Sequence, residues 1–211
     1  MRTLIACPTL DMVQVTFASA LIELLGSGEV EDVAVAFRAG SLVYESRNDL
    51  AMEAINQGYD RVLWLDSDMV FTPELGRLLK EDMDAGRDFV SGVYFMRRKP
   101  TKPLILKSLD WYQDETLGAQ EIAETYADYP KDSVFEIAGC GFGAVMMKTY
   151  LLAEIAMRFH VSPFTPLPRL SEDYSLCWRL KQMGVKMWAD SRIRIGHCGM
   201  HVYGENDFTE G

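Results

Sequence analysis

The stretch YDRVLWLDSDMVFTPELGRLL, residues 59–79, decides the fold. Val62–Leu65 are consecutive apolar residues, the pattern of a strand buried on both faces. They run directly into Asp66, Ser67 and Asp68. Thr72 and Pro73 then mark a helix start, the threonine as N-cap and the proline at the first helical position. Leu75, Leu78, Leu79 and Met83 recur at helical spacing behind them. A buried strand followed by a helix predicts a parallel sheet with helical crossovers. In such sheets ligands bind beyond the carboxyl ends of the strands, where Asp66 and Asp68 stand.

The neighbouring segments repeat the pattern. TLIAC (3–7) reads as a strand. Asp11 is placed to cap a helix carrying Val15, Ala18, Leu21, Ile22 and Leu25, which Gly26 and Gly28 end. DVAVAF (32–37) is a second strand, Ser46 the cap of a helix with Leu50, Ala51, Ala54 and Ile55 on one face, and DFVSGVYF (88–95) the strand after 61–65. The second half is less regular. MRRKPTKP (96–103) is basic and broken by prolines; residues 108–133 read as a long polar loop or small excursion, whose Trp111, Tyr112, Tyr126 and Tyr129 either stack on sugar faces or, the more ordinary reading, anchor it to the domain. Strands are expected at 134–139 and 143–148, helices over 149–159 and from Ser171, and short strands near 186–189 and 193–196.

The 211 residues suit one domain with one sizeable core. A formal net charge of −10 argues against nucleic-acid or anionic-membrane partners. The cysteines, Cys7, Cys140, Cys177 and Cys198, form no C-x-x-C pair and read as thiols of a reducing compartment. LIAC (4–7) lacks the charged and apolar regions that precede a lipoprotein cleavage site. No apolar run approaches the roughly 18 residues that span a bilayer. A soluble, cytoplasmic protein is expected.

In an extended chain Asp66 and Asp68 point the same way, with Ser67 turned aside. Two carboxylates so close repel, and a divalent cation removes the repulsion. All-oxygen ligation suits Mg²⁺ or Mn²⁺, which pair one or two carboxylates with substrate phosphates. Alone the pair is also an ordinary polar turn.

A second constellation lies in RLSEDYSLCWRLKQMGVKMWADSRIRIGH (169–197). Ser171 is a plausible N-cap, which puts Glu172 and Asp173 in the first helical turn. Acids there stabilise the helix dipole, but a helix start is also a convenient place to aim a carboxylate at a substrate. RIRIGH ends a short strand in His197. His160 reads as a helix C-terminal partner. His201, four residues beyond His197, invites a zinc pairing that Gly196 and Gly199 make a poor helix for.

D-S-D closing a strand, E-D at a helix start and a late histidine, in this order, resemble the GT-A fold glycosyltransferases, especially family 2-like inverting enzymes. ESRNDLAMEAINQGYDRVLWLDSDM (45–69) resembles their Arg-Asn helix leading into the D-x-D strand, and also Anp1-type mannosyltransferases. The resemblance implies a Rossmann-like, mostly parallel mixed α/β sheet in a single domain. Residues 1–95 would form the nucleotide-binding half, 96–133 an excursion, and 134–211 the acceptor and catalytic half. It implies a hexosyltransferase that takes its sugar from a nucleotide-diphosphate sugar. Asp66 and Asp68, with His197, would hold Mn²⁺ or Mg²⁺; Asp66 with Thr9, Arg47 and Asn48 would line the nucleotide; Asp173 would be the general base and Glu172 its neighbour. GCGFGAVMMK (139–148) resembles the segment beneath the donor sugar.

The chemistry agrees with those assignments. A departing diphosphate gains negative charge that a divalent cation stabilises, and an acceptor hydroxyl needs a carboxylate to take its proton. An inverting transfer needs one base and no carboxylate nucleophile. The acidic residue that usually reads the base after the second strand is not evident in AFRAGSLVYES (36–46), so the nucleotide stays open, as does the acceptor: glycan, lipid-linked or protein. Two alternatives stand beside this reading. VLWLDSDMV (62–70) also resembles the strand of haloacid-dehalogenase-type phosphatases, which would make Asp66 a nucleophile, though no later Lys and acidic pair follows. The other is a non-catalytic nucleotide-sugar-binding module. A nucleotidyltransferase would want a glycine-rich loop after the first strand, and CPTLDMVQVT (7–16) has none.

Overall fold

Strand and helix alternate through the first half as the apolar pattern predicts. In the computed structural model, which describes residues 1–199, 202–203 and 205, β1 (Thr3–Thr9), α1 (Val15–Ser27), β2 (Val33–Ala39), α2 (Val43–Asn56) and β3 (Arg61–Leu65) come first. They are followed by β4 (Met69–Val70), α3 (Glu74–Asp84) and β5 (Phe89–Val93). The helix starts differ from expectation. Gln14, not Asp11, is the N-cap residue of α1, and Ser46 lies buried within α2 rather than capping it. Pro73 occupies the N-cap of α3, and no side chain caps it.

The second half settles one open reading. Residues 108–133 form a small excursion rather than a long loop, an antiparallel hairpin in which β6 (Ile105–Asp114) pairs with β7 (Gly118–Thr125). The local cause is its turn. The Asp114 carboxylate accepts hydrogen bonds from the backbone N–H groups of Thr116 and Leu117 at 2.8 and 2.7 Å, and Gly118 takes the left-handed backbone (φ +74°) that closes it. Those amide bonds, Leu117 first, hold Asp114 below the usual carboxylate range. Three of the four aromatics anchor the segment: Tyr126 and Tyr129 pack on Phe135 and Trp111 on Trp178, while Tyr112 is exposed. The Trp111 indole N–H donates to the Pro168 carbonyl at 3.0 Å, and its ring meets Trp178 edge-on.

β8 (Val134–Ile137), β9 (Gly139–Cys140), β10 (Ala144–Lys148), α4 (Thr149–Phe159) and α5 (Glu172–Gln182) follow. The chain then forms β11 (Met187–Arg194), β12 (Gly196–Cys198) and β13 (Val202–Tyr203). Seven strands make the central sheet in the order β2-β1-β3-β10-β5-β11-β8. β1, β2, β3, β5 and β11 run one way; β10 and β8 run against them. The protein is thus a mixed α/β fold with a mostly parallel sheet between helices.

Side chains alternate across that sheet with period two. Leu4, Ala6, Val62, Trp64, Val145 and Met147 join the core beneath α2, α4 and α5. Ile5, Cys7, Leu63, Leu65, Ala144 and Met146 join the core beneath α1 and α3. Burial on both faces explains the unbroken apolar run of β3. All four cysteines are buried and unbridged. Among the described residues no helix is long and apolar enough to cross a membrane.

Candidate active site

A cleft of about 670 Å³ opens at the carboxyl end of β1 and β3. Its lining includes Thr9, Arg47, Asp66, Asp68, Glu172, Asp173 and His197, brought from five separate parts of the chain. Asn48 is the sequence-predicted site residue outside this lining. Its side-chain oxygen accepts the Phe164 N–H at 2.8 Å and so fixes the proline-rich turn over α2. His201 lies outside the described residues.

The D-S-D segment is not extended as the sequence suggested. Met69 N–H donates to the Asp66 carbonyl at 3.1 Å, closing a turn directly after β3. Both aspartates still face the cleft, but with different partners. Asp66 Oδ1 accepts from Arg47 Nη2 at 2.8 Å, and Arg47 Nη1 donates to Glu172 Oε1 at 2.6 Å. Arg47 is almost wholly buried, with Phe142 and Phe164 rings 5.6 and 5.8 Å from its guanidinium carbon. Burial works against its charge, but Asp66, Asp173 and Glu172 together outweigh that and hold it firmly protonated. Burial pushes the Asp66 carboxyl upward against the pull of Arg47, and Asp68 and Asp173 push it further. Glu172 is raised by burial and by Asp173, again against Arg47.

Asp68 faces Arg97 and His197. Its Oδ2 lies 2.7 Å from Arg97 Nη1 and 3.4 Å from His197 Nε2. The imidazole Nδ1 is 2.8 Å from the Phe95 carbonyl, an acceptor only, so Nδ1 carries a proton and Nε2 is the nitrogen that faces Asp68. β12 is steered there by pairing with β4 and by the Cys198 N–H, which donates to the Asp68 carbonyl at 2.8 Å.

Asp173 sits in the first turn of α5, where its Oδ1 accepts from the Ser171 hydroxyl and from Tyr174 N–H. Both donors address one oxygen, which leaves Oδ2 toward Gly141. A Cβ built on Gly141 would stand 2.2 Å from the Tyr94 hydroxyl and 3.5 Å from Asp173 Oδ2; one on Gly143 would meet the Tyr94 ring at 2.8 Å. These two glycines make room for Tyr94, whose hydroxyl accepts the Gly143 N–H at 2.9 Å. Burial, then Asp66 and Asp173, raise the Tyr94 hydroxyl far above its usual range, so it stays a neutral hydrogen-bond donor into the cleft. Sequence reading passed over Tyr94 as the last apolar residues of a strand; only the glycines that accommodate it gave a signal. Thr9 lines the cleft but turns its hydroxyl to the Met12 carbonyl at 2.7 Å.

Among the described residues, no three His, Cys, Asp or Glu side chains form a ready-made metal cage. The donor set that fits a hard divalent cation is smaller: the Asp68 carboxylate and the His197 Nε2 lone pair, with Asp66 drawn aside by Arg47. Two protein ligands suit Mg²⁺ or Mn²⁺, which take their remaining oxygens from phosphates and water.

The fold has a counterpart among solved structures. The chain is similar to A197 from STIV, with a TM-score of 0.59 and 19% identity over 100% of this chain and 97% of that one. That likeness carries the α/β architecture. No family model and no curated protein matches the chain.

Proposed function

We propose that the protein is a metal-dependent glycosyltransferase that moves a sugar, with inversion, from a nucleotide-diphosphate sugar to an acceptor hydroxyl. The observation that carries this reading is the gathering of Thr9, Arg47, Asp66, Asp68, Glu172, Asp173 and His197 around one cleft at the carboxyl ends of the strands. The charge balance supports it. Among the described residues, Asp11, Asp66, Asp68, Glu172 and Asp173 face the cleft against Arg47 and Arg97, five carboxylates to two guanidiniums. An anionic donor enters such a cleft only with added positive charge.

Asp68 and His197 would hold the divalent cation, which stabilises the charge growing on the departing diphosphate. Arg47 fixes Asp66 and Glu172 in place and keeps them from repelling the donor. Asp173 takes the proton of the attacking hydroxyl through Oδ2, while Ser171 and Tyr174 hold Oδ1 and set the carboxylate's angle. Tyr94 donates its hydroxyl proton to a sugar or acceptor oxygen over the floor formed by Gly141 and Gly143. The phosphatase alternative could use only Asp66 Oδ2, since Arg47 holds Oδ1, and the later Lys and acidic pair it requires do not follow in the sequence.

The test is a thermal-shift panel of UDP, GDP, CDP and dTDP and their sugars, each with and without Mn²⁺. One nucleotide should raise the melting temperature in the presence of Mn²⁺ by mass action. A flat panel would remove the reading. The binding-module alternative predicts the same shift with no turnover of any donor.

A further inference from the structure

Arg97, in the basic segment after β5, makes a contact that the transfer chemistry does not use. Arg97 Nη1 lies 2.7 Å from Asp68 Oδ2 and 3.4 Å from the Cys198 carbonyl. The same Asp68 oxygen lies 3.4 Å from His197 Nε2. One carboxylate oxygen therefore faces a guanidinium and an imidazole nitrogen at once. A divalent cation bound between Asp68 and His197 and the Arg97 guanidinium would claim the same oxygen, and two cations do not share that space.

The two arginines of the cleft differ in freedom. Arg47 is 4% exposed in its side chain and bridges two carboxylates. Arg97 is 49% exposed, on the connection between β5 and β6, and Asp68 is its carboxylate partner. A long, half-solvated guanidinium leaves one anion for another at low cost. A diphosphate offers it two or more oxygens in the fork geometry that guanidinium groups prefer.

We propose that Arg97 is a donor-binding residue that exchanges partners: it neutralises Asp68 until a nucleoside diphosphate arrives, then moves onto the diphosphate and releases Asp68 to the divalent cation. The proposal rests on the metal-dependent reading of the cleft. It makes cation and nucleotide bind cooperatively, since each removes an obstacle to the other.

The test measures free Mn²⁺ by electron paramagnetic resonance over wild-type protein, Arg97→Gln and Asp68→Asn, with no nucleotide present. Arg97→Gln should bind Mn²⁺ about tenfold more tightly than wild type, the scale of one charge-assisted contact, and Asp68→Asn should bind it far more weakly. With saturating Mn²⁺, calorimetric titration of the nucleoside diphosphate selected by the shift panel should be about tenfold weaker for Arg97→Gln, and binding of the matching nucleoside unchanged. Equal Mn²⁺ affinity in wild type and Arg97→Gln, with Asp68→Asn still impaired, overturns the exchange and leaves the metal-dependent reading standing. Undiminished diphosphate affinity in Arg97→Gln also overturns it. No Mn²⁺ binding by any of the three proteins removes both.

Discussion

Two groups of buried carboxylates sit on this sheet, and their charges are balanced in opposite ways. On the α3 side, Asp82 and Asp190 are 2% and 0% exposed. Arg87 donates to Asp82 Oδ1 at 3.1 Å, and Arg192 grips Asp190 with Nε at 3.0 Å and Nη2 at 2.8 Å. Asp82 Oδ2 lacks a donor unless the two acids share a proton. Burial, with Asp190 beside it, pushes Asp82 up to about 6, so the two acids share a proton only below about that pH. Above it Arg87 and Arg192 match the two carboxylates one to one, and the group is neutralised from within. At the cleft, Arg47 serves Asp66 and Glu172, but Asp68 rests on a half-exposed arginine and Asp173 Oδ2 lies on the side of Gly141 and Tyr94 with no cation paired to it among the described residues. An acid cluster that balances itself is architecture; the proposed function asks a ligand to bring the positive charge that the other one lacks.

The sharpest way to break that contrast is Asp173→Asn. The amide oxygen keeps both hydrogen bonds to Ser171 and Tyr174, so the fold and nucleotide binding should persist. Sugar transfer, measured by initial rates, should fall roughly 10²–10⁴-fold, the contribution of a general base. Undiminished turnover would place Asp173 with the structural acids. Next is Arg47→Met, which strands Asp66 and Glu172 without their shared cation. Urea denaturation should register a loss of about 3–5 kcal/mol, the cost of leaving buried charge unpaired.

The internal proton of the other cluster has its own signature. The folded protein keeps Asp82 protonated above its ordinary value of 3.8 and up to about 6. Its contribution to stability is therefore fully present below about pH 4 and is lost as pH rises through about 6. Asp82→Asn removes the titration, so the change in unfolding free energy between pH 4 and 6.5 should differ from wild type by on the order of 2 kcal/mol. Parallel profiles would mean that no proton is shared. The smallest effect is expected where neither burial nor a site is involved. Arg77 pairs with Glu74 and Glu81 on the exposed face of α3, and Arg77→Ala should cost under about 0.5 kcal/mol by the same denaturation measurement.

Most of the sheet was legible because burial writes itself into the sequence. The apolar runs of β1, β3, β5 and β10 mark strands covered on both faces. The hairpin of β6 and β7 was harder to read, because most of its outer residues are exposed and polar and its turn rests on the Asp114 side chain and a left-handed Gly118. At the site, Asp66, Asp68, Asp173 and His197 announced themselves by type and order. What the sequence withheld was pairing over distance: Arg47 and Glu172 are 125 positions apart, and nothing local tells that one buried guanidinium joins that glutamate to Asp66. Asn48, adjacent to Arg47, illustrates the converse. Its neighbour turns into the cleft while its own side chain serves the turn at Phe164.

The reversed strand β10 lies in the middle of the sheet, between β3 and β5, although it belongs to the later part of the chain. Because it runs backwards, the segment leading into it, Gly141–Gly143, is the part that reaches the rim shared by the ends of β3 and β5. A protein cut within residues 96–133 would yield two fragments, one missing the plank between its own boards and the other missing the boards. Neither could assemble a working pocket alone, and co-expressing the two pieces should restore one only by threading β10 back into its slot.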